Sequence, residues 1–164
     1  MHAYDVSNEA ILRLCAAAES LQLELIRADS AEEAIREADV IIPATTSDTP
    51  YIRASWIRPG SSYFAVSLFD PELDVFLQAD CIVVDDLELC QQEGRPLDLL
   101  KRQRRSALRV VSIGSVVLER IQVRRKPEDR ILFNPMGTVI TDVSLGLPLF
   151  EKAAATGKGV RLPC

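Results

Sequence analysis

The stretch from Ala38 to Gly60, ADVIIPATTSDTPYIRASWIRPG, constrains the fold of this chain more than any other. Within it, Val40 to Ile42 form the short apolar run that is typical of a β-strand covered on both faces. The hydroxyl-rich segment Thr45-Thr46-Ser47 follows where that strand would end. Because open parallel sheets bind ligands at the carboxyl ends of their strands, the stretch predicts a buried strand that leads into a binding turn.

Composition places the chain among globular proteins with one hydrophobic core. It has 164 residues, of which 48% are hydrophobic and 26% are charged, and this is enough apolar material for a single domain. The net charge of −5 argues against nucleic-acid binding, because a duplex binder presents a basic face to the phosphates. We interpret the basic clusters at residues 101–105 and 124–126 as solvated surface that can still receive an anionic partner.

The sequence gives no sign of export or of membrane insertion. No apolar run approaches the length that crosses a bilayer, and the first residues, MHAYDVSN, lack the basic and apolar regions of a signal peptide. We therefore expect a cytoplasmic protein without a membrane partner. The four cysteines have no C-x-x-C spacing, which favours reduced thiols over a metal site or a disulfide framework: Cys15, Cys81, Cys90 and Cys164.

Short apolar runs alternate with amphipathic stretches along the chain, a pattern that is typical of parallel α/β packing. Strands are predicted at about residues 2–5, 23–26, 40–43, 62–67, 81–85 and 131–133. Helices are predicted after a cap at Ser7, after the capping box Ser30-Ala-Glu-Glu33, and near residues 72–78, 86–93, 97–105 and 138–155. Residues 108–130 carry no clear pattern.

Polar residues follow three of these predicted strands. Asp5 ends the first strand, where a carboxylate can accept hydrogen bonds from both ribose hydroxyls of an adenosine and favour NAD over NADP. Asp5 can equally begin a turn or assist the cap at Ser7. Thr45-Thr46-Ser47 and Asn134-Pro135-Met136-Gly137 can likewise be an ordinary loop and a strand-to-helix connector. Because parallel strands end at one edge of a sheet, the convergence of the three turns favours ligand binding.

Four segments, SAEEAIREADVIIPATTSDTPYI, WIRPGS, ADCIVVDD and ILFNPMGTVITDV, together resemble the ornithine cyclodeaminase and mu-crystallin family of NAD(P)-dependent proteins. The NPMG turn and the VSLFDPELDVF segment look most like the siderophore-pathway branch. Its members are dehydrogenases that oxidatively cleave N-(2-amino-2-carboxyethyl)-L-glutamate to 2,3-diaminopropionate and 2-oxoglutarate. The resemblance implies an α/β fold, with a Rossmann-like parallel sheet and helices on both faces, NAD as cofactor and a small amino-acid substrate.

The resemblance also implies which residues contact the cofactor. Asp5 matches the acidic position that binds the ribose. Thr45 and Thr46 match a turn that lies against the cofactor, and Val66 and Ser67 match a strand end near the nicotinamide. Asn134, Pro135 and Met136 match the turn that closes over the nicotinamide side. No metal ligand is implied.

Asp70 is the candidate catalytic residue that the resemblance implies. In the family, an aspartate after the strand that ends near Val66 handles protons at the substrate amine. A buried aspartate can do this if its pKa is raised toward neutrality. The segment is one residue shorter here than in the ornithine-cyclising members. The alternative role for Asp70 is an N-cap ahead of Pro71.

The family's N-terminal features have no counterpart in these residues. The chain contains no G-x-G-x-x-G loop. We expect residues 1–164 to form a partial NAD(P)-binding Rossmann domain with a C-terminal helix, without the first strand, the glycine-rich loop and the N-terminal substrate and dimerisation domain. The strands near residues 2–5 and 40–42 would then each expose an unpaired edge. The expected partner is the missing N-terminal half or another copy of the chain.

Three functions remain open at this point. The chain can be part of an NAD-dependent amino-acid oxidoreductase that is inactive by itself. It can be a non-catalytic binding or scaffold protein of the mu-crystallin type. It can also be part of an ornithine cyclodeaminase, which converts ornithine to proline and ammonia.

Overall fold

The computed structural model describes residues 1–67, 69–92, 96–102 and 108–160. Seven strands lie in these ranges: β1 (His2–Ala3), β2 (Ile26–Arg27), β3 (Val40–Ile41), β4 (Ser62–Phe64), β5 (Cys81–Val84), β6 (Val110–Ser112) and β7 (Ile131–Phe133). Seven helices accompany them: α1 (Asn8–Ser20), α2 (Ala31–Arg36), α3 (Leu73–Leu77), α4 (Leu87–Cys90), α5 (Pro96–Arg102), α6 (Ile113–Leu118) and α7 (Val139–Ala155). Cys164 and residues 103–105 of the first basic cluster lie outside the described residues.

All described strand pairs are parallel, and they form two sheets. β1 pairs with β2 alone, and the other five strands have the order β3-β4-β7-β5-β6. The predicted parallel α/β architecture is therefore confirmed. In the described part of the chain, β1 and β3 each have a neighbour on one side only, as expected for strands with a free edge.

The five-stranded sheet is covered on both faces because side chains alternate along its strands. Ile82 and Val84 of β5 point into a core cluster that also contains residues of α2, α3 and α5. Cys81 and Val83 point to the opposite face, where Val116 of α6 packs against them. All four β5 side chains are buried, and each apolar one contributes about 1.5–3 kcal/mol to stability. This double burial explains why the strand reads as a continuous apolar run.

Two serine caps fix where the first helices begin. Ser7 Oγ accepts a hydrogen bond from Ala10 N at 3.2 Å, and Ser30 Oγ accepts one from Glu33 N at 3.1 Å. The Glu33 carboxylate reaches back to the N–H of Asp29 at 2.7 Å, one residue before the cap. Such caps contribute about 1 kcal/mol each. The helix starts predicted at Ser7 and Ser30 are therefore confirmed.

β3 differs from the predicted strand in its burial. Ile41 is 5% exposed, but Val40 and Ile42 are 54% and 64% exposed. The prediction that this strand is covered on both faces is wrong, because the face that carries Val40 and Ile42 is left uncovered by the described residues.

The second strand begins later than the pattern predicts. β2 starts at Ile26, where Ile26 N and Ala28 N donate to the carbonyls of Met1 and Ala3 at 2.8 and 2.9 Å. Pairing with β1 thus decides its position, and local sequence does not. Residues 108–130, which carried no clear pattern, contain β6 and α6.

α7 stands apart from the core. None of its 17 residues is buried, although many are apolar. Its large apolar side chains are between 55% and 77% exposed: Val139, Ile140, Val143, Leu145, Leu147, Leu149 and Phe150. An apolar surface of this kind is typical of an interaction site. Among the described helices, none is long and apolar enough to span a membrane.

Candidate functional site

Two of the three turns that were predicted to converge, those after β3 and β7, meet at one edge of the five-stranded sheet, together with the end of β4. The third turn, at Asp5, follows β1 of the other sheet, so its predicted place at the same edge is wrong. β3, β4 and β7 are neighbours and run parallel, so their carboxyl ends lie side by side. Ala65 N donates to Phe133 O at 2.8 Å, which ties the ends of β4 and β7 together. The structure therefore brings seven predicted residues to this edge: Thr45, Thr46, Val66, Ser67, Asn134, Pro135 and Met136.

Asp70 lies at this edge and is fully buried, with 0% of its surface exposed. One carboxylate oxygen accepts a hydrogen bond from the Thr45 hydroxyl, and the other accepts one from the Ser67 hydroxyl. No arginine, lysine or histidine among the described residues forms an ion pair with it. A buried carboxylate is costly unless hydrogen bonds compensate it, so the two hydroxyls both hold and orient this group.

The backbone of Asp70 fixes its position as well. Its carbonyl accepts hydrogen bonds from Tyr51 N and Ile52 N at 3.0 and 2.9 Å. α3 begins at Leu73 with Glu72 in the N-cap position. The alternative role of Asp70 as the cap of this helix is therefore wrong, and its buried carboxylate is free for another role.

Two tyrosines lie near Asp70, and no sequence pattern pointed to them. Tyr63 is 2% exposed, and its hydroxyl has no hydrogen-bond partner among the described residues. Burial raises the pKa of Tyr63, and the Asp70 carboxylate raises it further. The same two causes raise the pKa of Tyr51, although a hydrogen bond with Thr45 opposes them. Asp70 is thus surrounded by neutral hydroxyl groups.

Replacing Tyr63 tests this environment. We expect Tyr63→Phe to raise the free energy of unfolding at neutral pH by about 1–3 kcal/mol, because the variant buries no unpaired hydroxyl. In the wild type the folded-state pKa lies above the unfolded value of about 10. The part of the free energy of unfolding that depends on the neutral Tyr63 phenol is therefore fully present below about pH 10. It is lost as the pH rises above this value, by up to about 1.4 kcal/mol per pH unit.

Urea unfolding at neutral and alkaline pH measures both effects for Tyr63→Phe. The matched control is Tyr4→Phe, which removes a phenol that is 41% exposed. If the free energy of unfolding falls with rising pH equally steeply in the wild type and in Tyr63→Phe, the Tyr63 phenol does not stay neutral in the folded chain.

Asp85 holds the turn that follows β7, a role that the sequence reading missed. Its carboxylate accepts hydrogen bonds from Met136 N at 3.0 and 3.1 Å and from Gly137 N at 2.8 Å. Gly137 has a φ of +79°, which favours glycine. Asn134 N donates to Val83 O at 2.8 Å. The only sequence signal was an acidic pair directly after the buried strand β5, in ADCIVVDD.

We expect Asp85→Ala to lower the free energy of unfolding by about 1.5–3 kcal/mol, because the variant loses the hydrogen bonds that two backbone amides donate to a charged acceptor. Amide hydrogen exchange at Met136 and Gly137 should also become faster. Glu88→Ala, at an exposed position in α4, is the matched control. Unchanged exchange at the two amides would contradict the assigned role of Asp85.

Asp5 lies at a different place, on the wall of a cleft between the two sheets. We call this the inter-sheet cleft; its volume is about 380 Å³, with residues 1–5 on one wall and residues 40–45 on the other. The Asp5 carboxylate accepts a hydrogen bond from Ser7 N at 2.7 Å, as a turn residue would. Thr45 and Tyr51 also line the cleft, which therefore connects Asp5 with the edge that carries Asp70.

The cysteines do not form a metal centre in the described part of the chain. No group of three or more His, Cys, Asp or Glu residues there could hold a metal ion. Cys15, Cys81 and Cys90 form no disulfide bond in the described part of the chain, and the last two are buried. Burial raises the pKa of the Cys81 thiol.

The sequence matches one family model over most of its length. The model of the ornithine cyclodeaminase/mu-crystallin family matches residues 1–157. The N-((2S)-2-amino-2-carboxyethyl)-L-glutamate dehydrogenase of Staphylococcus aureus is 29% identical over 163 residues, which covers 97% of this chain and 48% of that protein.

Two solved structures have the same fold over the same region. The crystal structure of CmnK is 30% identical with a TM-score of 0.86, and the match covers 99% of this chain and 49% of that one. An archaeal alanine dehydrogenase dimer with bound NAD is 25% identical with a TM-score of 0.84, and the match covers 99% of this chain and 52% of that one. The chain thus spans about half the length of the relatives it matches.

Proposed function

Because the chain belongs to the ornithine cyclodeaminase/mu-crystallin family, we propose that it is part of an NAD-dependent amino-acid oxidoreductase. The observation that carries this function is the buried Asp70 carboxylate, held by two hydroxyls where parallel strands end. A buried carboxylate at the carboxyl ends of parallel strands is a functional-site candidate. The dehydrogenase name of the Staphylococcus aureus relative and the NAD bound to the archaeal relative support it.

The residues present fit part of an NAD molecule. The exposed Asp5 carboxylate would accept the ribose hydroxyls from the wall of the inter-sheet cleft. The turns after β3, β4 and β7 would hold the nicotinamide end. These are the turns that carry Thr45 and Thr46, Val66 and Ser67, and Asn134, Pro135 and Met136. Asp85 would position the last of them through its bonds to the Met136 and Gly137 amides.

In this function Asp70 takes the proton that leaves the substrate amine. The carboxylate is fully buried, so a proton reaches it through a hydroxyl that touches it. Thr45 is exposed and donates to Asp70, and Ser67 is half-buried and donates to the other oxygen. Either hydroxyl can pass its proton to Asp70 while it accepts one from the amine, and the charge balance is kept.

The reaction that we propose is oxidative cleavage of N-(2-amino-2-carboxyethyl)-L-glutamate, which would serve siderophore biosynthesis. Bound NAD would supply the hydride acceptor for the glutamate α-carbon. The resulting C=N bond then adds water and breaks, so that 2,3-diaminopropionate, 2-oxoglutarate and one proton are released. The name of the Staphylococcus aureus relative supports this substrate. The alternatives are ornithine cyclodeamination and a non-catalytic, mu-crystallin-like role.

The enzyme that we propose is completed by an N-terminal half or by another copy of this chain. The exposed apolar side chains of α7 support a further packing partner, because a helix of this length is marginal in water without one. The partner would also supply the binding site for the substrate carboxylates.

Reconstitution tests this function. The chain would be co-expressed with the unmatched N-terminal half of the Staphylococcus aureus relative, and NADH absorbance would be followed with three substrates. NADH formation with N-(2-amino-2-carboxyethyl)-L-glutamate supports the proposed reaction. Proline formation from ornithine would instead identify a cyclodeaminase. A stable complex that binds NAD and oxidises none of the tested substrates, with alanine as the third, would favour the binding role.

Cofactor preference in the reconstituted enzyme gives a further prediction. We expect Asp5→Ala to weaken NAD binding by about 1–3 kcal/mol and to narrow the preference over NADP, because ribose hydrogen bonds and a repulsive charge are lost together. Asp29→Ala is the matched control, since Asp29 is an exposed acid soon after β2. If the ratio of the Kd values for NAD and NADP is unchanged, Asp5 does not bind the ribose and serves only as a turn residue.

A further inference from the structure

The two hydroxyls that hold Asp70 differ in the hydrogen bonds that they accept. A hydroxyl group has one proton to donate and two lone pairs that can accept. Thr45 and Ser67 both donate their proton to the Asp70 carboxylate, one to each oxygen. Any difference between them in carrying a further proton therefore depends on whether their lone pairs are occupied.

The lone pairs of the Thr45 hydroxyl are occupied. Ser47 N donates to Thr45 Oγ1 at 3.1 Å, which closes a short turn after β3. The Tyr51 phenol also forms a hydrogen bond with Thr45. Because the Thr45 proton already goes to Asp70, the phenol is the donor of this bond. We call this arrangement, in which Ser47 N and the Tyr51 phenol occupy Thr45 Oγ1, the Thr45 lock.

Backbone contacts fix Tyr51 beside Thr45. Tyr51 N donates to the Asp70 carbonyl at 3.0 Å, so the residue that supplies the phenol is tied to the residue that Thr45 contacts. The next residue, Ile52, forms a parallel bridge with Pro71. The Thr45 lock therefore belongs to the fold of the chain, and it is present before any substrate binds.

The Ser67 hydroxyl, on the other side of the carboxylate, has no such lock. Its one hydrogen bond within the described part of the chain is the bond that it donates to Asp70. Ser67 is half-buried and follows Val66, which is exposed, so its oxygen can be approached from the edge of the sheet. Ser67 Oγ can accept a proton without losing an existing hydrogen bond, whereas Thr45 Oγ1 must first lose one.

From this difference we propose that Ser67 carries the proton of the substrate amine to Asp70. Tyr51 is the positioning residue that directs the proton to this route, because it holds Thr45 as a fixed donor. One N–H bond of the substrate ammonium group breaks as Ser67 Oγ takes its proton, and the Ser67 O–H bond breaks as Asp70 takes the other proton. The amine loses its positive charge, Asp70 becomes a neutral carboxyl group, and Ser67 ends unchanged.

The inference rests on the proposed function, because it assigns a proton route within the proposed reaction. The Thr45 lock can nevertheless be measured without catalysis, by amide hydrogen exchange at Ser47 in the 164-residue chain. We expect Thr45→Val to speed exchange at Ser47 about tenfold or more, because the amide loses its acceptor. Thr45→Ser keeps a hydroxyl at this position and should retain the slow exchange. Ser67→Ala is the matched control and should leave exchange at Ser47 as in the wild type.

Turnover of the reconstituted enzyme tests the route. We expect Ser67→Ala to lower kcat by about 10²-fold, the lower end of the usual contribution of a proton-transfer group. Adding Tyr51→Phe to Ser67→Ala frees a lone pair of the exposed Thr45 hydroxyl, which can then carry the proton, so kcat should rise about tenfold. A merely structural role of Tyr51 predicts a further loss. Tyr4→Phe, which removes another phenol that lines the inter-sheet cleft, is the matched control and should give no rise.

The outcomes separate this inference from the proposed function. A wild-type complex that oxidises none of the substrates would refute the oxidoreductase and the proton route, and the Ser47 measurement would still decide whether the Thr45 lock exists. An active complex in which Thr45→Val loses more kcat than Ser67→Ala would keep the oxidoreductase and overturn the route through Ser67. Equal exchange at Ser47 in the wild type and Thr45→Val, or no rise of kcat when Tyr51→Phe is added to Ser67→Ala, would overturn the lock.

Discussion

Asp70→Asn is expected to lower kcat of the reconstituted enzyme by about 10²- to 10⁴-fold, the usual contribution of a positioned proton acceptor. The side chain keeps its shape, and its amide can still hydrogen-bond to the Thr45 and Ser67 hydroxyls. The neutral amide cannot take up a proton from the substrate amine. KM should change much less than kcat, because the change removes a group that acts only during the reaction.

Asp74→Asn is the matched control for this variant. Asp74 lies in α3, and its carboxylate accepts the Ala54 N–H at 3.1 Å, away from the turns of the site. In both variants a neutral amide replaces a charged hydrogen-bond acceptor, so each should lose about 1–3 kcal/mol of free energy of unfolding in urea. Only Asp70→Asn should lose turnover. Full activity of Asp70→Asn would reduce Asp70 to a structural residue.

The same kcat measurements test which hydroxyl carries the proton to Asp70. Ser67→Ala and Thr45→Val each remove one hydroxyl from the Asp70 carboxylate. Removal of the hydroxyl that carries the proton should lower kcat more than removal of the other hydroxyl, which only orients the carboxylate. Equal and small losses would indicate that water reaches Asp70 directly when substrate binds.

Local chemistry made part of this structure predictable. The caps at Ser7 and Ser30 involve residues three positions apart, so the sequence contains both partners of each bond. β5 was predictable because four apolar residues in a row need burial on both faces. The meeting of the turns followed from topology, since parallel strands of one sheet end at the same edge.

Long-range contacts were beyond the sequence. The Asp85 carboxylate accepts hydrogen bonds from backbone amides more than 50 positions away, and no nearby sequence pattern predicts these partners. Tyr63 has the alternating environment of any core strand, and only the structure brings its hydroxyl near Asp70. The exposure of Val40 was mispredicted for a similar reason. A strand's apolar run shows that it needs covering, but it does not show which polypeptide provides the cover.

The 164-residue chain by itself is expected to bind NAD with a Kd above about 1 mM, and its complex with an N-terminal half about 100-fold more tightly. The diphosphate of NAD is held in this fold by backbone N–H groups at a helix N-terminus that follows a glycine-rich loop. No G-x-G-x-x-G occurs in these residues, whereas Asp5 and the turns near Asp70 offer contacts for the two ends of the molecule.

Calorimetric titration with NAD and with adenosine separates the diphosphate from the rest of the cofactor. A 100-fold gain corresponds to about 2.7 kcal/mol, and it should be seen with NAD but be much smaller with adenosine, which has no phosphate. The N-terminal half would then supply the diphosphate contacts, and Asp5 would supply the ribose contacts in both states. Low-micromolar NAD binding by the chain alone would contradict this division, because residues 1–164 would then hold the diphosphate themselves.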